Sequence, residues 1–299
     1  MARPTSLLAL LMPALCALAQ MDNRQRQELL QQSRMQQQLF RVLPDHLQPK
    51  FDSDDGGDHY PARTSDHYCR LFGGHSLCQV PHTRQSCGFV RRRRLSVDES
   101  AAILHRHNME RMLVAQGRRR GRNGELLPSG ANIMQLRYDV ELHDVAQGAA
   151  DRCVDGHDCH ECRQVARGHV GQNVAQRSFS MGRGPLSRQQ LLRVNLRPLD
   201  AMGGWLEELT RLGSSDVHSL SGGTGAGHYT QVIWATTEML GCGWIEHAER
   251  GGLSFRLYCN YAPHGNSIGK QVYQAGEPCS ACPQGTTCST EYPGLCKRL

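Results

Sequence analysis

The chain lacks a membrane span: no stretch reaches bilayer length free of charge, where about twenty apolar residues in a row are needed, and this predicts a soluble product. It has no Asn-x-Ser/Thr acceptor, so N-linked glycosylation is not expected. It contains no His-Glu-x-x-His helix. With most cysteines expected in bonds, covalent catalysis has no obvious agent. A single basic tract is missing too. The net charge is +6 and the pI near 8.7, but the arginines lie in separate clusters. No nucleic-acid partner follows from such a distribution, which serves solubility and weak attraction to acidic glycans or cell surfaces.

What is present points outside the cell. Met1 and Arg3 open a short basic start, Leu7 to Leu15 form an apolar run too short to cross a bilayer, and Ala17-Leu18-Ala19 offers a small-x-small cleavage site. A buried amphipathic helix would carry polar residues on one face, and Leu7 to Leu15 has none. Residues 1–19 therefore read as a signal peptide, with the mature chain starting near Gln20. Thirteen cysteines less Cys16 leave twelve, an even number suited to pairing in an oxidising compartment. The remaining length, about 280 residues, is enough for one sizeable core with appendages.

Composition divides the rest. Residues 20–65 are rich in Gln, Arg and Asp and too poor in apolar side chains to offset chain ordering, so a disordered arm is expected. Residues 66–94 carry Cys69, Cys78 and Cys87 among Gly, His and Pro, and end in Arg91-Arg92-Arg93-Arg94. That run reads either as a proprotein-convertase site or as a solvated linker. A core over 95–265 and a cysteine-rich tail over 266–299 follow.

Ser96-Val97-Asp98-Glu99 fits a capping box, opening a helix through about Val114 with Ile103, His107 and Arg111 on one side. Asp139 to Cys153 and Leu199 to Leu212 read as further helices, the latter with Met202, Trp205 and Leu209 inward. Beyond Gly222 the period changes, and Tyr229 to Ala235, Gly241 to Glu246 and Ser254 to Tyr261 read as strands. Helices before strands imply an α+β layering. Trp205 and Trp234 sit in apolar patterns and read as core.

Two long motifs, Gly227-His228-Tyr229-Thr230-Gln231-Val232-Ile233-Trp234 and Leu257-Tyr258-Cys259-Asn260-Tyr261-Ala262-Pro263-His264-Gly265-Asn266, resemble the signatures of the CAP superfamily. That superfamily comprises cysteine-rich secretory proteins, antigen-five venom allergens and pathogenesis-related proteins. His107-Asn108 with Arg111, and Val170 to Ala175, resemble its lesser motifs. The upstream cysteines and Gly156-His157-Asp158 look most like arthropod antigen-five members. The resemblance covers about residues 66–265 and implies an α-β-α sandwich around an antiparallel sheet. It also implies the pairs Cys87–Cys153, Cys69–Cys78 and Cys242–Cys259. Cys159 and Cys162 remain, one cysteine more than the antigen-five pattern needs, and a local bond between them is expected. The tail resembles the small cysteine hinge of secreted members. Its Cys279, Cys282, Cys288 and Cys296 are expected to form two disulfides, zinc being the alternative that an oxidising compartment disfavours.

The resemblance also maps a family cleft of two histidines and two glutamates onto His157, Gln172, Glu208 and His228, with Asn173 and Tyr229 beside them. Two neutral imidazoles suit zinc or another divalent ion, with Glu208 orienting a bound water. Gln172 in place of a carboxylate removes a general base and argues against acid–base turnover. The bland alternative is that these histidines only satisfy buried hydrogen bonds. His107 reads as a packed histidine. The resemblance thus implies a secreted, extracellular, non-catalytic module. It would bind a lipid, sterol or small amphipathic ligand, or an extracellular receptor or channel. The alternatives are an endopeptidase using Glu208 and His228, and an adaptor acting through arm and tail.

Overall fold

A computed structural model of the chain describes residues 65–78, 87–166, 168–179, 196–249 and 252–299. The signal peptide expected at 1–19, and all but the last residue of the arm expected at 20–65, lie outside the described residues.

A short helix, α1 (Ser65–Leu71), precedes an edge strand, β1 (Val90–Arg93), and then α2 (Val97–Ala115). The α2 start forms because the Ser96 hydroxyl accepts from the Glu99 amide while the Glu99 carboxylate accepts from the Ser96 amide, a complete capping box. β2 (Arg137–Tyr138) leads into α3 (Val140–Ala150), capped by the Asp139 carboxylate on the Leu142 amide. The expected extension of α3 to Cys153 stops at Ala150, and Cys153 takes a left-handed φ of 51° on its way to the disulfide with Cys87.

β3 (Gly171–Phe179) follows. The single helix expected over Leu199 to Leu212 is instead three pieces: α4 (Pro198–Ala201), α5 (Gly203–Glu207) and a 3-10 turn at Glu208–Arg211. Two glycines of poor helix propensity, Gly203 and Gly204, sit at the break. Met202 and Trp205 point into the core as expected. α6 (Ser214–His218) and α7 (Gly227–Ile233) complete this layer.

The α7 segment corrects the strand expected at Tyr229 to Ala235. β-branched and aromatic residues gave it a strand signature, but tertiary contacts at both ends impose a helix. Glu208 takes the first amides, and Arg111 takes the Val232 and Trp234 carbonyls after the last turn. β4 (Met239–Glu249) and β5 (Gly252–Ala262) follow, and a ribbon of β6 (Thr286–Cys288) and β7 (Cys296–Arg298) comes last.

The main sheet runs β1-β4-β5-β3, antiparallel throughout, with β2 adding a short parallel pairing to β4. Alternation splits its faces. Leu240, Cys242, Trp244, Leu257, Cys259 and Tyr261 pack toward Ile103, Met202 and Trp205, while Ile245 and Tyr258 pack toward Ala146 and Ala149 of α3. The fold is therefore an α-β-α sandwich. α3 lies close because Gly241 and Gly243 lack side chains; a Cβ there would stand 2.2 and 2.4 Å from the His143 and Gln147 backbone nitrogens.

The structure pairs Cys69–Cys78, Cys87–Cys153, Cys159–Cys162 and Cys242–Cys259, and in the tail Cys279–Cys288 and Cys282–Cys296. The tail is no loose appendage. Tyr292 and Leu295 join the core beside Val114 and Ile133, and the Cys296 amide donates to the Ile133 carbonyl at 2.8 Å.

The arginine run is not a solvated linker either. Arg91 to Arg93 form the edge strand β1, and their guanidinium groups engage Glu246, Glu99 and Asp151. Glu246 and Asp151 are buried, so the run neutralises carboxylates that the fold would otherwise leave unpaired. No helix among the described residues is long and apolar enough to cross a membrane.

Candidate metal centre

The four expected cleft residues form two separate hydrogen-bonded pairs. In the first, the 3-10 turn after α5 places Glu208 against the start of α7. Its Oε2 accepts from the amides of His228 (2.9 Å) and Tyr229 (3.2 Å), and its Oε1 lies 2.7 Å from His228 Nδ1. Burial alone would raise the Glu208 carboxyl. The His228 ring and the two amides outweigh that and hold it below the ordinary carboxylate range. An ionised carboxylate only accepts, so the His228 proton belongs on Nδ1 and Nε2 keeps its lone pair. The Trp205 indole stacks on this imidazole, with centroids 6.1 Å apart and planes 14° from parallel.

In the second pair, His157 sits in the loop after α3 with Nδ1 3.0 Å from Gln172 Oε1 on β3. The amide orientation is fixed from behind. Gln172 Nε2 donates to Asp158 Oδ1 (2.9 Å) and Asn260 Oδ1 (3.1 Å). Asp158 also accepts from Arg163 (2.7 Å) and the Ser76 hydroxyl (3.0 Å). Because Asp158 needs donors, Gln172 turns its oxygen to His157, and the imidazole again carries its proton on Nδ1 with Nε2 unprotonated. Burial lowers the His157 pKa from its ordinary value, the Gln172 hydrogen bond works against that, and the nearby Arg163 and His228 lower it further.

Asn173 and Tyr229, expected to line the cleft, lie beneath it. Asn173 is buried and donates to the His228 carbonyl (3.0 Å) and the Tyr261 hydroxyl (3.2 Å). The Tyr229 ring is buried in the core with its hydroxyl donating to Glu110 at 2.8 Å. His107 is fully buried between the Ile103 carbonyl and the Tyr261 hydroxyl, and burial lowers its pKa to about 4. Sequence reasoning missed Asp158 and Asn260, which orient Gln172. It also missed Trp205 as a partner of His228; only its apolar neighbourhood was legible. Among the described residues no group of three or more His, Cys, Asp or Glu is gathered to hold an ion.

Residues 104–261, just over half of the chain, match the CAP family, described as the cysteine-rich secretory protein family. The chain belongs to that family. This CAP protein is 35% identical over 234 residues to a cysteine-rich venom protein of Tityus serrulatus, covering 78% of the chain and 53% of that protein. It therefore spans about half the length of that relative. A venom allergen 5 of Brachyponera chinensis is 33% identical over 67% of the chain and 97% of its own length. Among solved structures, one described as NaASP2 with Zn2+ superposes with a TM-score of 0.50 at 31% identity, over 65% of this chain and 92% of that one. Six disulfides and this family place the CAP protein among venom-allergen-like secretory proteins.

Proposed function

We propose that this CAP protein is a secreted, non-catalytic binding module whose cleft takes a divalent cation such as zinc through His157 and His228. One observation carries the reading: both imidazoles have Nδ1 engaged by an acceptor fixed from behind, leaving Nε2 as the ligand atom, which is the outer-shell arrangement of metal-binding histidines. Two nitrogens would not fill a four-coordinate zinc, so water or a bound ligand would complete it and the site would be weak and open. When bound, the ion supplies a Lewis-acidic contact for an oxygen-bearing ligand. The zinc carried by the similar solved structure supports the choice of metal. The ligand class is a lipid, sterol or small amphipathic molecule, or an extracellular receptor or channel.

The test is calorimetric titration of zinc into the oxidised chain, comparing wild type with the His157→Ala/His228→Ala double variant. Saturable binding lost in the variant supports the reading, and no binding to the wild type overturns it. The endopeptidase reading draws on the 2.7 Å contact between Glu208 and His228. Against it, Glu208 already accepts three hydrogen bonds that hold α7 and His228, and Gln172 cannot act as a base. Peptide hydrolysis measured in the same zinc titration, lost in Glu208→Gln, would restore it. An adaptor role would survive all these substitutions and fail on removal of the arm or tail.

A further inference from the structure

We propose that the Cys159–Cys162 bond is a thiol–disulfide exchange site, with an aliphatic thiol as its substrate and Cys159 as the sulfur attacked. The other five disulfides tie separate parts of the chain, with separations from 9 to 66 residues, whereas this one closes a separation of 3. A ring that small removes the least freedom from the unfolded chain and adds the least to stability.

The loop does not need the bond to keep its shape. Arg163, buried at its base, donates from Nε to the Val170 carbonyl (2.9 Å) and from Nη1 to the Asp158 carbonyl and carboxylate (both 2.7 Å). Its Nη2 lies 2.8 Å from His160 Nδ1. Opening the bond leaves these contacts in place and keeps the two sulfurs poised to close again.

The halves of the bond differ in the way an exchange site requires. Cys159 is exposed and Cys162 is buried, 6% accessible, so an incoming thiolate reaches only Cys159. The Cys162 amide is shared between the Cys159 carbonyl and Cys159 Sγ, each at 3.0 Å, and the Arg163 guanidinium reaches the same carbonyl at 3.3 Å. A donor on the sulfur favours a Cys159 thiolate.

The reaction balances. A thiolate RS⁻ attacks Cys159 Sγ, the Cys159–Cys162 bond breaks, and Cys162 leaves with the electron pair and takes up a proton. A second RS⁻ attacks the R sulfur of the mixed disulfide, forming RSSR and releasing Cys159 as a thiolate. Two donor thiols are oxidised to one disulfide, and the protein disulfide is reduced to two thiols.

The experiment equilibrates the full oxidised chain in buffers of rising reduced-to-oxidised glutathione ratio, alkylates the free thiols and maps them by mass spectrometry. Cys159 and Cys162 should be labelled at a ratio at least ten-fold lower than any other pair, Cys279–Cys288 with its exposed Cys288 being the closest competitor. In Cys162→Ser the glutathione adduct should sit on Cys159. Opening of another pair at the same or a lower ratio overturns the proposal. So does exchange at an undiminished rate in Cys159→Ser/Cys162→Ser, a variant expected to keep the parent melting temperature. A parallel arm with a reduced, unfolded cysteine protein as donor separates small from macromolecular thiols. Oxidation of glutathione alone assigns the site to small thiols, and oxidation of the protein thiols assigns it to cysteine side chains.

Discussion

His228 stands on a helix and gives its ring proton to a carboxylate; His157 stands on a loop and gives its ring proton to an amide. The carboxylate of Glu208 also holds the first amides of α7, so ring and helix are fixed by one group. The Gln172 amide has no charge of its own and borrows direction from Asp158, which Arg163 and Ser76 hold in turn. Both devices select the same tautomer, one with a charged acceptor and one with a neutral one. The comparison teaches that an uncharged amide, aimed by its own neighbours, can hold an imidazole in the same orientation that a carboxylate does.

The strongest way to break the comparison is to remove the floor of the His228 side. Arg111 is fully buried and spends its guanidinium on five backbone carbonyls, from Met134, Val232, Trp234, Ala235 and Thr237. Arg111→Met should destabilise the fold by about 4 kcal/mol, measured by guanidinium denaturation, because those carbonyls lose their donors in a buried setting. A loss under about 1 kcal/mol would show that they find other partners.

Acid should weaken the same side next. His107 reaches His228 through Tyr261 and Asn173, and burial depresses its pKa from 6.5 to about 4. The unfolded chain binds the proton more readily, so this contribution is fully present above pH 6.5 and is lost as pH falls toward 4. The loss is about 3 kcal/mol. In His107→Gln that part of the pH dependence of stability should vanish.

Exchanging the supports sharpens the comparison itself. Glu208→Gln should weaken zinc binding roughly 10- to 100-fold, while Gln172→Glu should strengthen it, both read by calorimetry. Equal effects of the same sign would mean that the two acceptors do not tune the imidazoles. The smallest effect expected is spectroscopic: burial places the His157 midpoint below the ordinary 6.5 in a proton–carbon NMR titration. Gln172→Glu should move it upward.

The layers were legible because their signals are local or periodic. The Ser96–Glu99 box, the alternation along β5 and the His107 face of α2 each follow from spacing alone. Tyr229 to Ile233 misled because the contacts that make it helical, Glu208 and Arg111, come from elsewhere in the chain. The candidate site was legible only by motif. Nothing in a Gln at 172 announces that Asp158 and Asn260 will turn its oxygen toward His157. Likewise, four consecutive arginines read as solvent-facing or cleavable because their buried carboxylate partners lie up to 155 residues away.

The seat of Cys296 sets an order of events during synthesis. Ala131, beside it in the folded protein, precedes it by 165 residues. At about 5–20 residues per second, Ala131 is made roughly 8 to 33 seconds before the Cys296 that comes to lie beside it. The core therefore closes late, after both central strands have been made, and until then chaperones meet an open apolar seam where the tail belongs.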